Sequence, residues 1–156
     1  TIEEGVAGNQ YRNMRLSGRW AFSGNAHILN LGINLGRDTL PTQCSTCSNP
    51  SNLFLGGFQF MGAYRMAQLA GDQLAHAQAT YMYRLSDGGI LKQKTYVGTV
   101  LEAGDAWFAG RPHSTKYSSS LFIALDSKIG DIYLGVARGT RGASNAFLQL
   151  GRRFSF

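Results

Sequence analysis

The sequence predicts an all-β protein, an antiparallel transmembrane β-barrel of which about seven strands lie in this chain. Three observations lead there. Side-chain character alternates with a period of two over long stretches, as it does on strands with one apolar and one polar face. Tight turns alternate with long connections. The polar faces hold Gly, Asn, Gln, Ser and Arg more than Lys and Glu, which suits a crowded lumen better than an open surface.

Taken in order, Met14, Leu16, Gly18, Trp20 and Phe22 alternate with Asn13, Arg15, Ser17 and Arg19. After the turn residues Ser23 to Ala26, Leu29, Leu31, Ile33 and Leu35 alternate with Asn30, Asn34 and two glycines. Ala75, Ala77, Ala79, Tyr81, Tyr83 and Leu85 then oppose His76, Gln78, Thr80, Met82 and Arg84. Val97, Thr99, Leu101 and Ala103 oppose Tyr96, Gly98, Glu102 and Gly104. Leu121, Ile123 and Leu125 follow, then Ile132, Leu134 and Val136. Leu148, Leu150, Phe154 and Phe156 close the chain, with Arg152 on the same face, where it can snorkel towards headgroups. No segment has helical spacing.

The predicted turns are Ser23–Ala26, Ser86–Gly89 and Lys128–Asp131, rich in Gly, Asp and Asn. Between them fall long connections at about 38–73, 107–119 and 139–145. Short loops at one end and long ones at the other are the pattern of outer-membrane barrels. The pairs Trp20 with Phe22, Tyr81 with Tyr83 and Phe154 with Phe156 all fall at the short-turn end, as one interfacial girdle would. Seven strands cannot close in lipid without leaving backbone groups unpaired, so further strands must complete the barrel. The opening residues TIEEGVAGNQ, with no initiator Met, read as the interior of something longer or as a processed form.

Composition narrows the function. The 156 residues form one domain, 1–156, and only 15% are charged, against ~25% in ordinary soluble domains. The net charge of +6 is scattered rather than clustered, so nucleic acid is not an expected partner. Cys44 and Cys47 supply two ligands where a structural zinc site needs four, and His27, His76 and His113 are spread along the chain. A small disulfide between Cys44 and Cys47 in an oxidising compartment, or two idle thiols, are the remaining readings. There is no nucleophile elbow, P-loop or dinucleotide motif, so no catalysis, metal or cofactor is expected.

Two internal segments and the terminus carry a resemblance. LFLGGFQFMGAYRMAQLAG, Leu53 to Gly71, resembles the lumen loop of the bacterial surface antigen family, the outer-membrane insertases and two-partner-secretion transporters. Gly56, Gly57, Phe58 and Tyr64 match its pattern; Gly62 stands at the motif arginine and Ala63 at the following glycine, leaving Arg65 to supply the cation. VLEAG, Val100 to Gly104, resembles the family's inward-facing strand motif, with Glu102 where Asp is usual. The resemblance implies a latch of Tyr64, Arg65 and Glu102. Arg15, Arg19 or Lys128 are alternative partners for a carboxylate that cannot stay unpaired in a low-dielectric lumen. QLGRRFSF, with Gln149, Gly151, Phe154 and Phe156, resembles the β-signal read by the barrel-assembly machinery.

The form GGF followed by GAYR is most similar to the branch fused to patatin-like phospholipases. By that resemblance the chain is the last seven strands of a 16-stranded barrel in the bacterial outer membrane, with residues 39–73 folded into the lumen. It would anchor, and translocate, a passenger domain. Its partners would be lipid, the assembly machinery, the upstream strands and passenger, and, as an open option, further copies of itself. Two other classes remain open. One is a self-contained small barrel, a pore or ligand binder, with an eighth strand from Thr1 to Gln10. The other is a soluble β-sandwich binding module.

Overall fold

A computed structural model describes residues 2–4, 12–39, 53–86, 94–127 and 130–151. The chain is all-β and antiparallel. Its main strands are β2 (Arg12–Ser23), β3 (His27–Thr39), β6 (Gln73–Ser86), β7 (Thr95–Trp107), β8 (Lys116–Ser127), β9 (Gly130–Gly139) and β10 (Ser144–Leu150). A three-residue β1 (Ile2–Glu4) pairs along β2, and the ladder runs β1-β2-β3-β6-β7-β8-β9-β10. Among the described residues its two ends do not pair, so the sheet they form is open. An eighth strand thus exists within Thr1 to Gln10, but it does not join β10 to close a small barrel. Five main strands are 12 to 14 residues long, more than the ~9–11 that a tilted membrane strand requires.

The β2–β3 turn is short and the β3–β6 connection long, as expected, but the alternation does not hold throughout. The long connection expected at 139–145 is the tight turn Thr140–Gly142, because Ser144 and Asn145 already pair with Arg138 and Ala137. β7 starts only at Thr95, beyond the expected Ser86–Gly89 turn. Gly24 N–H donates to the His27 carbonyl at 2.8 Å and closes the β2–β3 turn. The segment joining β3 to β6 contains a small hairpin, β4 (Leu53–Leu55) paired with β5 (Leu69–Gly71). The strand after the second long connection starts at Lys116, three residues before the expected Ser119, because Lys116 to Ser118 already pair with β7. Cys44, Cys47, Phe154 and Phe156 lie outside the described residues, as does most of the Ser86–Gly89 turn.

The sheet is inside out relative to a water-soluble fold. One face exposes Leu16, Trp20, Phe22, Leu101, Leu121, Leu134, Val136, Leu148 and Leu150, with Leu101 58% and Leu148 68% accessible. The opposite face buries Asn30, His76, Thr80, Glu102, Ser118 and Ser120. What covers it is the loop between β4 and β5, through Leu55, Phe58, Met61, Ala63 and Tyr64. The covered face is more aromatic than expected. Phe58 stacks on Phe147 with centroids 4.3 Å apart, and meets Phe122 at 5.3 Å and Tyr133 at 5.4 Å. Phe122 and Phe147 share the parity of polar neighbours, so alternation alone concealed them.

The apolar band on the open face slants across the ladder. One row pairs Phe22, Leu29, Tyr81, Thr99, Leu121, Val136 and Ala146 in succession. At β2 this row is the band's short-turn limit, with Leu16 to Trp20 behind it. At β10 it is the long-connection limit, with Leu148 and Leu150 ahead. The band therefore shifts by roughly 17–20 Å along strands spaced ~4.8 Å apart, a slant of roughly 30–35°. Aromatics bound it at both ends. Trp20, Phe22, Tyr81 and Tyr83 are exposed towards the short turns, and Tyr117 towards the long connections. The sequence reading missed that second group.

Candidate functional site

The site is the place where the folded loop meets the covered face of β7. Its backbone explains its glycines. Gly56 adopts φ 133°, and a Cβ there would lie 1.9 Å from the Arg65 carbonyl oxygen. Gln59, Met61 and Ala67 also sit at positive φ, between 57° and 70°, a region that disfavours side-chain-bearing residues. Such strain persists only where surrounding contacts over-determine it. Here Gly57 N–H donates to the Tyr64 carbonyl at 2.9 Å, and Gly56 N–H to the Phe60 carbonyl at 2.6 Å. The tip is thereby folded on itself before it touches the sheet.

The tip turns consecutive amides towards one carboxylate. Met61 N–H donates to Glu102 Oε1 and Gly62 N–H to Glu102 Oε2, both at 2.7 Å. Ala63 N–H donates to Ser118 Oγ at 3.0 Å, Asn145 Nδ2 to the Gly62 carbonyl at 3.3 Å, and Tyr64 Oη to the Thr140 carbonyl at 3.4 Å. Successive N–H groups aimed at one anion form a backbone nest. Charge-assisted bonds to a buried carboxylate are the stronger class of hydrogen bond. Glu102 is 4% exposed, so little water competes with them.

His76 completes the surroundings of Glu102. Its Nε2 lies 3.5 Å from Glu102 Oε1, and Phe60 stacks over the imidazole at 5.7 Å. On the far side of the ring, Asn34 Nδ2 approaches His76 Nδ1 at 3.3 Å. Gly104 stands directly opposite His76 in the β6–β7 ladder. A Cβ at Gly104 would be 3.0 Å from His76 Cα, so the acidic-x-Gly spacing leaves the strands room for this histidine.

Several expected site residues are where the sequence put them, and one partner is not. Gly56, Gly57, Phe58 and Tyr64 lie in the docked loop, and Glu102 and Gly104 face it from β7. The expected cation Arg65 is corrected: the residue is exposed, its backbone N–H donates to Gln68 Oε1 at 2.8 Å, and its carbonyl accepts the Gln68 N–H at 3.0 Å. Of the alternatives, Arg15 and Arg19 are exposed on β2, and Lys128 lies outside the described residues. The physical reason lies at Gly62. A Cβ there would come within 2.7 Å of Ser120 Oγ, so a side chain fits only if Ser120 turns away, and the backbone amide takes the carboxylate. The roles of Met61, Gly62 and His76 were missed. Their only sequence signal was the shared parity of His76 and Glu102.

At the chain's end, Gln149 is half-buried opposite Tyr133, and Gly151, at φ 122°, donates its N–H to the Asp131 carbonyl at 2.9 Å. Among the described residues no group of three His, Cys, Asp or Glu could hold a metal ion.

These features define a class: an open antiparallel sheet, apolar on its free face, with a loop latched by a nest-bound glutamate onto the other. No protein-family model matches the chain, and no curated protein matches it.

Proposed function

We propose that this chain is part of an outer-membrane β-barrel that anchors and translocates a passenger domain, with the loop plugging its lumen. The single observation that carries the reading is the inverted sheet: leucines cover the free face while the polar face is packed under the loop. In water that arrangement would leave a large apolar area wetted at roughly 25 cal/mol per Å². In lipid the same face is the favourable one.

Two further observations support it. The slant of the apolar band matches the ~35–45° strand tilt of closed membrane barrels, so tilting the strands by that amount would lay the band flat in a bilayer. The polar inner face of β2 at Arg15, Ser17 and Arg19 is open, as are Phe54 and Met66 on the loop's far side. Further strands curving round would cover all of them and satisfy the open ladder edges. The patatin-like passenger, the assembly machinery reading Gln149 to Phe156, and the bacterial outer membrane rest on the sequence resemblance.

The test is reconstitution with lipids brominated on their acyl chains, using a Trp107→Phe variant that leaves Trp20 as reporter. Strong quenching of Trp20 is the expected result. An unquenched Trp20, in a chain that is folded and monomeric without detergent, overturns the reading.

A further inference from the structure

Beyond the general contact of the free face with lipid, the β8–β9–β10 corner has a built feature. Ser119, Arg138 and Ser144 are consecutive partners in one ladder row, and all three are exposed. The next row towards the short turns is Leu121, Val136 and Ala146, also exposed. A hollow runs between the rows, lined by Thr99, Ser119, Leu121, Val136, Arg138 and Ser144. Arg141 stands on the tight turn Thr140–Gly142 immediately beyond, exposed and at φ 59°. Arg141 lines a second hollow with Asp105 and Lys116, which pair at 2.6 Å, and is not part of this one.

We propose that this corner is a selective site for an anionic membrane lipid, binding its phosphate through Arg138. The proposal rests on the membrane reading above. An arginine facing the acyl region is costly unless its head reaches the headgroups, and Arg138 stands at the boundary row where that is possible. A planar guanidinium pairs bidentately with phosphate; the Ser144 hydroxyl flanks it in the same row, and Ser119 Oγ donates to the Arg138 carbonyl at 3.3 Å. The apolar floor of Leu121 and Val136 continues from that point and gives the acyl chains a surface. Arg138 has no acidic partner among the described residues, so the charge complement comes from the ligand. A zwitterionic headgroup brings its own amine and supplies less of it.

The experiment reads lipid retention. The protein as the cell makes it is reconstituted into vesicles containing a minority of phosphatidylglycerol in phosphatidylcholine. It is then extracted in mild detergent, and the ratio of retained lipids is measured. Wild type retains phosphatidylglycerol in excess of its share. R138Q loses that excess by about fivefold, while Arg37→Ala, which removes one charge elsewhere at the same end, keeps it. Should R138Q fail to fold, R138K, which keeps the charge and loses the bidentate fork, still shows a drop. Insertion with retention matching the vesicle composition overturns this proposal alone. Failure to enter either this vesicle or pure phosphatidylcholine overturns the membrane reading, and this proposal with it.

Discussion

Glu102 Oε2 accepts the Gly62 amide at 2.7 Å, where a Cβ at position 62 would lie 2.7 Å from Ser120 Oγ. A carboxylate on a strand thus holds a loop by its backbone, and the loop's sequence matters there chiefly through what it lacks.

Glu102→Gln keeps the shape but turns an N–H donor of the new amide towards the Met61 or Gly62 N–H. Leaving one buried donor unmatched costs about 1–3 kcal/mol. Limited proteolysis of the loop is expected to speed up while the sheet stays folded, and unchanged protection would rule out the latch.

Arg65→Ala is expected to change thermal stability by less than about 0.5 kcal/mol, as for surface substitutions away from packed features. A loss comparable to that of Glu102→Gln would restore Arg65 as the partner cation.

Gly62→Ala drives a methyl into Ser120 Oγ, and overpacking of that kind costs about 1–3 kcal/mol. The second-site change Ser120→Gly removes the obstructing atom and should recover a good part of the loss. Equal melting of the single and double variants would contradict the geometry.

Phe58→Ala removes the ring that stacks on Phe147 and meets Phe122 and Tyr133. Truncating a packed aromatic costs about 3–5 kcal/mol. The expected outcome is a sharply lowered denaturant midpoint for loop undocking.

Leu134→Arg separates lipid from water. Leu134 is 59% exposed in the middle of the band on β9. In a bilayer the arginine costs about 2–4 kcal/mol, whereas on a wetted surface it would be near neutral. Reversible unfolding from lipid vesicles measures the difference.

Much of the fold was legible because a strand's side-chain period is two whatever its surroundings. Seven main strands, the long β3–β6 connection and the parity of Glu102 followed from that rule alone. Alternation also displayed both faces of the sheet, since lipid-facing and loop-facing positions differ in kind. It could not separate Phe122 and Phe147 from the polar residues sharing their face, because a docked loop admits aromatics there.

What the sequence determined by itself was therefore local: strands, turns, and an acidic residue two before a glycine. Which atoms answer Glu102 was decided by the tertiary structure. The loop's left-handed turns at Gln59 and Met61 bring amides from forty residues away onto β7, and the close approach to Ser120 Oγ disfavours a side chain at Gly62. Backbone donors carry no letter in a sequence, so only their placement in space could reveal them.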